Sequence, residues 1–135
     1  MDEAIETLLV EDDPGDAELL GCLLAGVDGL DFRVDRAVRL ADGLVRAAGH
    51  EYKLIFLDLT LPDSVGYQTF ERMVAVAPDV PIIVMTGVDD ATLAAAAIQK
   101  GVQDYIVKGS TTTSALDRSI RDACERKHLR RESQK

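Results

Sequence analysis

The sequence predicts an α/β fold: a doubly wound parallel sheet of five strands, order 2-1-3-4-5, with five flanking helices. Three observations carry this. Five short apolar runs alternate with five stretches whose apolar residues recur at helical spacing. The first, third and fourth runs read as central strands. The second alternates apolar with polar and the fifth is short, as edge strands do.

Ile5 to Val10 is the first strand. Pro14 and Gly15 break the chain after it, and Asp16 caps a helix carrying Ala17, Leu20, Leu23, Leu24 and Val27. Phe32 to Ala37 alternates as a half-exposed strand, and Leu40, Leu44, Val45 and Ala48 form the next helical stripe, closed by Gly49. Leu54 to Leu57 is continuously apolar, the mark of a strand buried on both faces. A loop with Pro62 and Gly66 leads to a helix carrying Phe70, Met73, Val74 and Ala77, stopped by Pro78. Pro81 to Met85 is another buried strand. Asp90 caps a fourth helix, Ala91 to Lys100, which Gly101 ends. Tyr105 to Val107 is the fifth strand, and a last helix runs from about Thr113 into a basic tail. The alanines of the fourth helix either pack on the sheet or present a small-residue contact surface.

The chain has 135 residues, 47% of them hydrophobic and 29% charged, which fits one domain with a sizeable core. A net charge of −9 disfavours nucleic acid and anionic membranes as partners. Two cysteines, Cys22 and Cys124, exclude a disulfide scaffold and metal-ribbon patterns. The acidic N-terminus is the reverse of a signal peptide, and no apolar run reaches the ~18–20 residues of a membrane span. A cytoplasmic location is expected.

Ligands of such sheets bind beyond the carboxyl ends of the strands, where strand order reverses. Glu11, Asp12 and Asp13 follow the first strand, Asp58 the third, Thr86 and Gly87 end the fourth, and Lys108 follows the fifth. Alone, the acidic triplet is a solvated turn and Lys108 a snorkelling surface residue. Together they are hard to explain as packing. Two carboxylates about 4 Å apart repel by about 4 kcal/mol at an effective dielectric of 20, so Asp12, Asp13 and Asp58 call for a proton or a cation. Hard oxygen ligands suit Mg²⁺.

This constellation resembles the receiver domain of two-component response regulators. The resemblance is carried by Leu9-Val10-Glu11-Asp12-Asp13, by Leu57 to Asp63, by Val84-Met85-Thr86-Gly87 and by Gly101 to Gly109. It implies a flavodoxin-like topology and a phosphoacceptor that is a signalling domain, not an enzyme. Asp58 would take the phosphoryl group from a sensor histidine kinase or a histidine phosphotransfer protein. Asp12, Asp13, Asp58 and the Thr60 carbonyl would hold Mg²⁺. Lys108 and Thr86 would contact the phosphoryl oxygens, with Thr86 and Tyr105 as the switch pair. A phosphorylation-dependent dimer or target protein would read the fourth helix, fifth strand and fifth helix. The receiver would occupy residues 1–125, with 126–135 a polar, basic helical extension or linker.

Two other readings compete. A haloacid-dehalogenase-type phosphatase also uses a strand-end Asp, but Asp58-Leu59-Thr60 lacks the second Asp of its motif. A pseudo-receiver acting only as an interaction module would be marked by loss of Asp58, Lys108 or the acidic pair, and all are present.

Overall fold

The computed structural model describes residues 4–87 and 91–133. Strand β1 (Ile5–Val10) pairs in parallel with β2 (Phe32–Ala37) on one side and β3 (Leu54–Asp58) on the other. Two short strands, β4 (Thr60–Leu61) and β5 (Ser64–Val65), form an antiparallel hairpin of their own. β6 (Ile82–Thr86) pairs with β3, and β7 (Asp104–Val107) with β6, both in parallel. The main sheet therefore runs β2-β1-β3-β6-β7, the expected doubly wound order once the hairpin is set aside. The hairpin falls where the sequence reads as a loop; its strands are two residues each, too short for any periodicity to show.

Helices α1 (Pro14–Ala25), α2 (Leu40–Gly49), α3 (Tyr67–Val76), α4 (Ala91–Gln99) and α5 (Thr113–Ser133) complete the order. Successive strand residues point to opposite faces, and the core divides accordingly. Leu8, Val10, Ile55, Leu57, Ile82 and Val84 pack with Leu40 of α2, Phe70 and Met73 of α3 and Ala97 of α4. Leu9, Leu54, Phe56, Ile83 and Met85 pack with Leu20 and Leu24 of α1 and Leu116 and Ile120 of α5. Each fully buried Leu, Ile or Phe contributes about 1.5–3 kcal/mol. α2 comes so near the sheet that a Cβ on Gly43 would meet Val10 Cγ2 at 2.8 Å.

Two helix starts differ from expectation. Pro14 opens α1 instead of breaking the chain, because its fixed φ suits the first helical position. Asp13, not Asp16, is the cap: its Oδ1 accepts from the Gly15 amide at 3.2 Å. Arg39 precedes α2 without a side-chain cap, and Asp63 supplies one from 22–23 residues away, accepting from Leu40 N at 2.8 Å and Ala41 N at 3.0 Å. The expected cap Asp90 lies outside the described residues. Gly101 follows α4 with φ +108°, the backbone that the expected stop requires. On α4, Ala94 and Ala97 are fully buried, so these two pack on the sheet, while Ala95 is exposed. No helix among the described residues is long and apolar enough to cross a membrane.

Candidate functional site

The carboxyl ends of β1, β3, β6 and β7 meet at one rim. Parallel register sets this: Val10 lies beside Leu57, Asp58 beside Met85, and Thr86 beside Val107. The residues following these strands are thereby brought together. Lys108 is fixed to the neighbouring strand by its own backbone, its amide donating to the Thr86 carbonyl at 2.8 Å.

Lys108 Nζ is the hub. It lies 2.7 Å from Glu11 Oε1, 2.8 Å from Asp58 Oδ2 and 3.0 Å from Asp16 Oδ2. Glu11 is fully buried and Asp58 is 3% exposed, so the ammonium faces carboxylates that have largely lost their water. Burial pushes the Glu11 carboxyl up to about 8, and the nearby Asp58 adds to the rise. For Lys108, burial works against the charge, but the close carboxylates of Asp58, Glu11 and Asp16 outweigh it and hold the ammonium above its ordinary range.

One oxygen each from Glu11, Asp12 and Asp58 lies within 4.8 Å of the others. Charges at that spacing repel by about 3–4 kcal/mol per pair at an effective dielectric of 20. Lys108 approaches Glu11 Oε1 outside hydrogen-bond geometry, leaving that buried oxygen without a donor. Three hard oxygen donors in excess of one ammonium, one of them lacking a donor, fit a small divalent cation.

The expected acidic pair Asp12 and Asp13 shifts by one residue. Asp12 stays at the site, but Asp13 is exposed and occupied in capping α1, and Glu11 takes the inward place. The reason is local. Glu11 continues β1, its amide donating to the Ala37 carbonyl at 3.0 Å, whereas the chain turns at Asp13 to enter α1. Glu11 Oε2 also accepts from the Asp13 amide at 3.2 Å.

Arg36 of β2 holds this turn from outside. Its Nε donates to the Glu11 carbonyl at 3.0 Å and its Nη2 to the Asp12 carbonyl at 3.1 Å. On the β3 side, the Thr60 amide donates to Asp58 Oδ1 at 3.0 Å, and the Thr60 side chain is exposed. Buried Thr86 turns its hydroxyl toward β7, donating to the Ile106 carbonyl at 3.5 Å, a long bond. Tyr105 is 39% exposed. The fold thus gathers Asp12, Asp58, Lys108 and Thr86 at the rim as expected and leaves Asp13 outside. Arg36 and the role of Asp16 were not legible, because no short-range pattern links them to the site.

The comparisons agree with this geometry. The family model for the response regulator receiver domain matches residues 7–120. The transcriptional regulatory protein GlrR of Escherichia coli (strain K12) is 35% identical over 118 residues, which cover 87% of this chain and 26% of that protein. The chain spans about a quarter of the length of this regulator. The CheY-like receiver domain protein of Methanospirillum hungatei JF-1 superposes with TM-score 0.79 at 20% identity, covering 95% of this chain and 99% of that one. The receiver domain of the sensor histidine kinase PA1611 of Pseudomonas aeruginosa PAO1, solved with a magnesium ion in its active site cleft, superposes with TM-score 0.76 at 24% identity, covering 91% and 99%.

Proposed function

This chain belongs to the response regulator receiver domain family, and on that premise we propose that Asp58 is its phosphoacceptor and that the domain works as a signalling switch. The observation that supports this most directly is the buried Asp58 carboxylate, bonded to Lys108 Nζ at 2.8 Å beside the Glu11 and Asp12 carboxylates. One Asp58 oxygen attacks the phosphorus of a phosphohistidine on a sensor kinase or phosphotransfer protein. A P–O bond forms, the P–N bond breaks, and the imidazole leaves with the electron pair. Charge then spreads over the phosphoryl oxygens, and Lys108 is placed to neutralise part of it.

Glu11, Asp12 and Asp58, with the Thr60 carbonyl, would hold Mg²⁺. Such an ion supplies charge neutralisation and orientation of the phosphoryl oxygens. Thr86 exchanges its long bond to the Ile106 carbonyl for a phosphoryl oxygen, and Tyr105 moves inward behind it. The surface altered is that of α4, β7 and α5, where Tyr105 and Ile98 are exposed. A dimer partner or a target protein reads that surface. Residues 126–135 are the basic extension, continuing a helix that runs to Ser133. The phosphatase alternative is not favoured, since Thr60 stands where its second Asp is needed.

Incubation with acetyl phosphate and Mg²⁺, followed by intact-mass measurement, tests the assignment. The wild-type chain gains one phosphoryl group and Asp58→Asn gains none. Equal labelling of the Asn variant overturns it.

A further inference from the structure

Asp16 has no part in the reading above, yet its carboxylate is one of the three that Lys108 touches. Pro14 opens α1, so Asp16 falls in the first turn, where an acid ordinarily serves the helix dipole or reaches back to the cap. Here Oδ2 instead bonds Lys108 Nζ at 3.0 Å, across 92 residues of sequence. Lys108 does not depend on this contact for its place. Glu11 and Asp58, both more deeply buried, hold the same ammonium at 2.7 and 2.8 Å. What Asp16 adds is charge. Through the shared ammonium, its carboxylate lies within about 6 Å of Asp58 Oδ2. Beyond it opens a cleft of about 120 Å³ whose α1 wall is Leu19, Leu20 and Leu23, with no second cation among its lining residues.

We propose that Asp16 is a positioning residue that acts through Lys108, drawing part of the ammonium's charge away from Asp58 and so restraining phosphoryl transfer from small anionic donors. This rests on Asp58 being the phosphoacceptor. Two effects have the same sign. The Asp16 charge repels an incoming anionic phosphoryl group, and it occupies a lysine hydrogen bond that a phosphoryl oxygen would otherwise take. A phosphohistidine presented by a protein brings its own docking contacts, so the restraint weighs most on free acyl phosphates.

The test uses the full chain with saturating Mg²⁺ and acetyl phosphate as the probe. The phosphorylation rate constant is measured for wild type, Asp16→Asn and Asp16→Glu at low salt and at 1 M salt. The expected result is a rise of about three- to tenfold for Asp16→Asn at low salt, from one charge removed within a Debye length. At 1 M salt, where that length is about 3 Å, the difference shrinks but persists, because repulsion of the incoming anion is screened while the direct contact with Lys108 is not. Asp16→Glu restores the wild-type rate, since it returns the charge; a helix-end role alone would not produce this salt dependence. An Asp16→Asn rate equal to or below wild type overturns the proposal, as does a Glu variant that behaves like Asn. Asp58→Asn runs alongside: labelling absent from the wild type, or persisting in this variant, instead defeats the assignment of Asp58.

Discussion

Lys108 Nζ and Asp58 Oδ2 lie 2.8 Å apart although 50 residues separate them in sequence. The contact exists because β3 and β7 end at the same rim, on either side of β6. It places a cation against the buried Asp58 carboxylate and beside the buried Glu11 carboxyl group.

Removing that cation is costly. Lys108→Ala leaves the buried Asp58 carboxylate without its counter-charge beside a protonated Glu11, and breaking such a pair costs about 3–5 kcal/mol. Urea unfolding of the metal-free protein near neutral pH should show a loss of that order, partly recovered on adding Mg²⁺. A variant as stable as wild type would mean that water, not Lys108, balances these charges.

Asp12 and Asp13 are adjacent in sequence but should behave differently. A cation binding only the native state at about 100 times its Kd adds about 2.7 kcal/mol of stability. Asp12→Asn should abolish most of the Mg²⁺-dependent rise in melting temperature. Asp13→Asn should leave it intact, because Asn caps a helix as well as Asp. Asp13→Ala should lower stability by about 1 kcal/mol with or without Mg²⁺. Equal loss of the Mg²⁺ response in both Asn variants would return Asp13 to the site.

That contrast marks how far the sequence reaches. Strand order was legible because Leu54 to Leu57 and Ile82 to Met85 are continuously apolar while β2 alternates. The rim residues were legible because each ends an apolar strand or lies within two residues of its end. The choice between Glu11 and Asp13 was not, since it depends on where β1 stops and α1 starts, and Pro14 reads equally as a breaker or as a first helical residue. Arg36 on Glu11 and Asp63 on α2 span 22–25 residues and leave no local signature.

Glu11 gives the metal-free protein a distinctive pH dependence. Its carboxyl titrates at about 8 in the fold against an ordinary value of 4.5. Between those values the native state keeps a proton that the unfolded chain has released. Stability from this group is therefore complete below pH 4.5 and declines as pH rises toward 8. Glu11→Gln should flatten the decline in urea midpoint between pH 5 and 8, measured with chelator present, and be the more stable of the two at the alkaline end. A wild-type profile whose slope is unchanged by the substitution would show that Glu11 is ionised throughout.

Arg36 should matter to the site without touching any of its carboxylates. Its guanidinium donates to the carbonyls of Glu11 and Asp12, the two residues whose side chains turn inward toward Asp58. A hydrogen bond from a charged donor is worth about 1.5–3 kcal/mol, and exposure of Arg36 places this pair at the lower end or below. Arg36→Ala should therefore cost about 1–2 kcal/mol in urea unfolding. It should also weaken Mg²⁺ binding, because freeing both carbonyls lets the turn that carries the two carboxylates relax. Arg36→Lys can reach one carbonyl but not fork across two, so it should recover only part of either effect. The decisive comparison is Arg36→Ala against a variant of similar cost elsewhere, such as Ile120→Val, which shortens a buried side chain of α5. Equal Mg²⁺ affinities in these two variants would reduce Arg36 to a surface contact of β2.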